Sequence, residues 1–142
     1  TPDAARPPLS YGVRNERMEG VVATKMLVNL ATGLEDAERV TVAFLVGGAG
    51  LQKGRKVAMF LTKEAVRLAV PGHAEAVACD GCPPLATLFE QYVAGGGELL
   101  VCPICFNARR LDQAELVPNA TLAGATPMLD WIGDDDTDVF SY

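Results

Sequence analysis

The sequence predicts an α/β fold: a three-layer sandwich whose mainly parallel five-stranded sheet carries helices on both faces. Three observations carry that expectation. Short apolar runs take turns with longer segments of helical period, glycine and proline stand at the joints, and the apolar runs are continuous, as in strands buried on both faces. The chain has 142 residues, a length that suits one domain with a core of its own.

Residues 1–23 read as a partly irregular N-terminal arm, because Pro2, Pro7, Pro8 and Gly12 interrupt any regular period, and residues 24–142 as the folded domain. Ala23 to Leu30 is the first strand, closed by Thr32 and Gly33. Glu35, Asp36 and Glu38 then suit the positive end of a helix dipole, and Ala37, Val40, Thr41, Phe44, Leu45 and Gly48 follow at helical spacing. Val42, Val46 and Ala49 make that helix apolar on more than one side, which predicts contact with the sheet and with another subunit. Lys56 to Leu61 is a second strand, and Thr62 is placed to cap a helix over Lys63 to Ala69, ended by Pro71 and Gly72. An Ala-rich strand is expected around Glu75 to Ala78.

The clearest helix runs from Pro83 or Pro84 to Ala94, with Leu85, Leu88, Phe89, Tyr92 and Val93 on one face and Gly95, Gly96 and Gly97 at its end. These glycines lead into strand Glu98 to Val101. Pro103 opens a short helix reaching Arg109 or Arg110. Thr126 as N-cap with Pro127 at the first helical position predicts a last helix through Ile132, and Thr137 to Ser141 a final strand.

Composition removes several function classes. Twelve basic against eighteen acidic residues give a net charge of −6, with no basic stripe to track phosphates, so direct nucleic-acid binding is not expected. The longest apolar stretch, Val40 to Leu51, falls short of the ~20 residues that span a bilayer. Residues 1–23 lack the hydrophobic segment of a secretory signal, which makes the cytoplasm the expected compartment.

Chemistry is expected on the cysteines. Cys102 follows a strand and precedes Pro103, so its sulfur should lie at a helix N-terminus, where unpaired N–H groups favour the thiolate. Cys105, three residues on, is within reach of a disulfide, a resolving reaction or a shared metal. Burial of both as small hydrophobes is the plainer alternative. Asn107, Arg109 and Arg110 could add positive potential, although surface arginines at a helix end are usually just solvated. Cys79-Asp80-Gly81-Cys82 is a second pair, separated from the first by nineteen residues. That spacing suits a tetrahedral zinc site of Cys79, Cys82, Cys102 and Cys105, if the strands before the two pairs are parallel neighbours.

Other features point to no ligand. His73, the only histidine, follows Pro71-Gly72 and reads as a loop residue. The glycines from Gly47 to Gly50 lie in a helix, not after a strand, and make no phosphate loop. Asp134, Asp135, Asp136 and Asp138 read as a solvated turn, and Trp131 with Phe89 and Tyr92 as packing.

The segments MLVNLATGLEDAER, KVAMFLTKEAVRLA, GGGELLVCPICFNARRL and ATLAGATPMLDWI resemble, in order and motif, the DsrE/DsrF-like proteins, and the resemblance runs from Lys25 to Tyr142. It implies a compact α/β domain that assembles into homotrimers or homohexamers. It further implies a cysteine, here Cys102, that accepts persulfide sulfur from a protein donor and passes it to an acceptor without any cofactor. The Cys79/Cys82 pair stands outside that pattern. The leading expectation is therefore a sulfur carrier or sulfurtransferase-like protein using Cys102, with Cys105 as assisting or resolving thiol. The rival is a non-enzymatic oligomeric binding protein whose four cysteines hold zinc or form reversible disulfides.

Overall fold

The computed structural model describes residues 23–142; the expected arm, Ala23 apart, lies outside the described residues. Five strands, β1 (Lys25–Leu30), β2 (Lys56–Leu61), β3 (Glu98–Val101), β4 (Ala120–Leu122) and β5 (Thr137–Ser141), form one sheet in the order β4-β3-β2-β1-β5. Every pairing is parallel, with Leu27 of β1 level with Ala58 of β2 and Val139 of β5. The α-helices among the described residues are α1 (Ala37–Gln52), α2 (Leu85–Ala94), α3 (Pro103–Ala108) and α4 (Ala125–Ile132).

The three central strands, β1, β2 and β3, are apolar on both sides because both sides are covered. Met26, Val28 and Leu30 of β1, with Val57, Met59 and Leu61 of β2, face the main core that includes Val40, Phe44, Leu85 and Tyr92 of α1 and α2. On the opposite face, Leu27, Ala58 and Leu100 pack with Met128, Trp131 and Ile132 of α4. Fully burying a side chain of this size is worth about 1.5–3 kcal/mol, so the alternation of faces along each strand fixes its register. Phe44 ties α1 to α2, its ring 5.6 Å from those of Phe89 and Tyr92. Tyr92 also donates to Glu98 O (2.7 Å), and burial pushes its hydroxyl pKa well above the usual tyrosine value.

Helix ends follow the sequence in part. Asp36 caps α1 by accepting from Arg39 N (3.1 Å). Pro84 is the N-cap of α2, and Gly96 takes the left-handed conformation past its end, with φ of 86°. The helix after β2 is a 3-10 helix, Lys63–Ala69, with Thr62 at its N-cap.

Two expectations are corrected. The segment expected as a strand around Glu75 to Ala78 contains a 3-10 turn, Ala74–Ala76, followed by irregular chain; its alanines give a sheet nothing to pack. The fifth strand is instead β4, three residues at the sheet edge. The last helix begins two residues before the expected start, with Gly124 as N-cap and Pro127 third in the helix, where its missing N–H would have had no helical partner.

Candidate functional site

In open parallel sheets the ligand side is the carboxyl edge of the strands. Here the backbone ladder continues one residue past three strands at that edge. Thr62 N donates to Leu30 O (3.0 Å), Cys102 N to Leu61 O (3.0 Å) and Ala123 N to Val101 O (2.9 Å). Cys102 is thus bonded to the end of β2, directly after the Val101 that accepts from the chain leaving β4, and is also the N-cap of α3, whose first residue is Pro103. Helix geometry leaves the Ile104 and Cys105 amides without i−4 partners in the helix, so two N–H groups lie at the same end as the sulfur. The Cys102 side chain caps neither of them.

Both thiols are free and half-buried, but they face different surroundings. Cys105 packs against the main core, as the bland reading of a small hydrophobe expects, whereas Cys102 belongs to neither core cluster. Ile104, between them, is 80% exposed.

The helix carrying the cysteines is tied to the chain after β2. Arg109, its C-cap, forms an ion pair with Glu64 and donates from Nη1 to Cys105 O (3.1 Å). Glu64 also accepts from Arg67 Nε (3.0 Å), and hydrogen bonds from Arg109 and then Arg67 hold its carboxyl below the ordinary value of 4.5. Lys63 beside it has a φ of 53°, a left-handed conformation uncommon for a residue with a side chain. Gly33, three residues past β1, comes so close that a Cβ there would meet Glu64 O at 2.6 Å. Arg109 is therefore an anchor, not the merely solvated arginine that the sequence suggests. Glu64 escaped the sequence reading, and its only local signal is the i, i+3 spacing to Arg67.

Cys79 and Cys82 lie elsewhere and are joined by a disulfide, with Cα atoms 5.3 Å apart. They close a turn in which Cys82 N donates to Cys79 O (3.1 Å) and Gly81 has a φ of 77°. The zinc reading assumed strands ahead of both pairs, and the first of those strands is absent. Among the described residues no three His, Cys, Asp or Glu side chains are grouped so as to hold a metal, so the four cysteines are not brought together as that reading requires. His73 precedes the 3-10 turn as a half-buried loop residue. At the opposite, amino edge, Lys25 pairs with Asp135 (2.8 Å), lies over the Trp131 ring and donates to Trp131 O, which fastens α4 to the sheet. The Lys25 hydrogen bond lowers the Asp135 pKa.

A parallel sheet with helices on both faces and a free cysteine at its carboxyl edge defines the class: a small α/β protein with a thiol at the ligand side of the sheet. The chain belongs to the DsrE/DsrF-like family, whose model matches residues 25–139. An uncharacterised protein of Methanocaldococcus jannaschii is 25% identical over 101 residues, which cover 71% of this chain and 37% of that protein. The matched part is thus well under half of that relative's length.

Solved structures share the fold. The ychN protein from E. coli superposes with a TM-score of 0.67 at 14% identity, covering 85% of this chain and 100% of that one. A protein of unknown function from Methanobacterium thermoautotrophicum gives 0.63 at 8% identity, with coverages of 83% and 98%. Among the described residues, no helix is long and apolar enough to cross a membrane.

Proposed function

We propose that this protein is a sulfur carrier that accepts persulfide sulfur on Cys102 and hands it to an acceptor thiol. Membership in the DsrE/DsrF-like family supports a sulfur-relay type of role, and one observation carries the finer reading: Cys102 is free, half-buried and outside both cores at the carboxyl edge. The Cys102 thiolate attacks the outer sulfur of a donor persulfide, R–S–SH. The donor leaves as R–S⁻ and Cys102 becomes Cys102–S–SH. An acceptor thiolate then attacks that outer sulfur and returns the Cys102 thiolate, so no electrons are gained or lost overall. The Ile104 and Cys105 amides at the head of α3 lie at the same end as the Cys102 sulfur. Cys105, on the same short helix, serves as the assisting thiol.

Exposed Ile104 supports a protein donor, since an apolar side chain two residues along the chain from Cys102 gives a docking partner something to bury. Apolar side chains at Val42, Leu45, Val93, Leu129 and Val139 support assembly into a homotrimer or homohexamer. The cytoplasm is the compartment that fits a free thiol carrier.

The test is to incubate reduced protein with a cysteine desulfurase and cysteine, remove both, and count sulfane sulfur by cyanolysis. One sulfur per chain in the wild type and none in Cys102→Ser is the expected result. Equal loading of the two proteins would end the proposal.

A further inference from the structure

The sulfur-carrier reading leaves Cys79 and Cys82 without a task, and their geometry argues against a structural one. A structural disulfide joins parts of a chain that are otherwise free to separate. This one closes a single turn, with a sequence separation of 3, already closed by the Cys82 N–H to Cys79 O bond and by the left-handed Gly81. Breaking the S–S bond therefore leaves the turn its own hydrogen bond and its glycine, and the same backbone suits dithiol and disulfide alike.

The surroundings provide for the reduced form as well. Cys79 Sγ lies 3.8 Å from Thr41 Oγ1. Thr41 is buried at 2% exposure and donates its hydroxyl proton to Ala37 O (2.7 Å), so the oxygen remains able to accept from a Cys79 S–H. Cys79 and Cys82 are half-buried, in a turn whose other residues, Asp80 and Gly81, and the following Pro83 and Pro84 are exposed, so the turn stands open to a small disulfide. The turn also stands on the ligand side of the sheet. Thr41 is near the start of α1 and Cys82 shortly precedes α2, and crossover helices between parallel strands begin at the carboxyl edge.

We propose that Cys79 and Cys82 are a second thiol site, a dithiol that reduces a disulfide of low molecular weight. One thiolate attacks R–S–S–R, forming a mixed disulfide and releasing R–S⁻. The other attacks the protein sulfur of that mixed disulfide, forming the Cys79–Cys82 bond and releasing the second R–S⁻. The two cysteine protons end on two R–SH, and the two electrons that leave the dithiol cleave the R–S–S–R bond. Excess R–SH drives the same steps backwards and restores the dithiol. This activity does not depend on sulfur loading at Cys102.

The experiment equilibrates the full chain with glutathione buffers running from fully reduced to fully oxidised, then alkylates and digests it with a glutamate-specific protease. Cleavage at Glu90 or Glu98 separates the two cysteine pairs. The expected result is a complete passage of Cys79 and Cys82 from dithiol to disulfide across the series. Alongside it, the Cys102→Ser/Cys105→Ser double variant, reduced and mixed with oxidised glutathione, yields two glutathione thiols per chain, and adding Cys79→Ser lowers the yield to no more than one, because Cys82 alone stops at the mixed disulfide. A pair that stays oxidised in the fully reduced buffer is a structural staple and overturns the proposal. A pair that stays reduced in the fully oxidised buffer overturns it too.

Discussion

Cys102-Pro103-Ile104-Cys105 and Cys79-Asp80-Gly81-Cys82 have the same spacing, yet the first continues a strand into a helix with both thiols free, whereas the second folds back as a turn closed by a disulfide. The residues around the cysteines decide the difference. Proline suits the first position of a helix, and the strand ahead of Cys102 feeds the chain into a ladder at the sheet edge. Asp-Gly supplies the left-handed glycine of a tight turn, and no strand precedes Cys79. Cysteine spacing alone therefore says little about chemistry until the local backbone is known.

The sharpest way to break the comparison is to exchange the roles of the two pairs. Cys102→Ser should abolish sulfane-sulfur loading while the Cys79–Cys82 pair still cycles between dithiol and disulfide; retained loading would put the sulfur elsewhere. Next in size are effects on stability. Phe44→Ala, which empties the stack between α1 and α2, should cost about 3–5 kcal/mol in denaturant unfolding. Reducing the disulfide, which closes a ring of only four residues, should cost no more than about 2 kcal/mol. The reverse ranking would mean that the turn, not the core, bears the fold.

The smallest effect concerns the anchor of α3. Glu64 has a pKa below 4.5 in the folded protein because Arg109 and Arg67 hydrogen-bond its charged form. A depressed carboxyl stabilises the fold fully above pH 4.5, and that contribution fades as the pH falls through the folded value. Glu64→Gln should therefore melt at a lower temperature than the wild type at pH 7, with the gap closing at acidic pH. A gap independent of pH would show that the carboxylate charge is not what holds α3.

Much of this was legible in the sequence. Strands β1, β2, β3 and β5 were readable as short apolar runs with turn residues behind them, and the start of α3 from Pro103 behind Cys102. The edge strand β4 was not, because three residues are too few to display a period, and the Ala-rich stretch near Glu75 took its place in the reading. The Glu64–Arg109 pair was hidden for another reason: its partners are far apart in sequence and meet only once β2 and β3 are aligned in the sheet. The resemblance to the family was visible in the segment around Cys102; Cys79 and Cys82 stood outside it, and their spacing left zinc and a disulfide both open until the turn that joins them was known.

The central claim is best tested by asking both pairs the same question in one sample. Reduced protein is charged by a desulfurase and cysteine without added thiol, alkylated, and digested at glutamate so that each pair lies on its own peptide. The account expects the additional sulfur on the peptide containing Cys102. Sulfur found only on the peptide containing Cys79 and Cys82, or on neither, would contradict it.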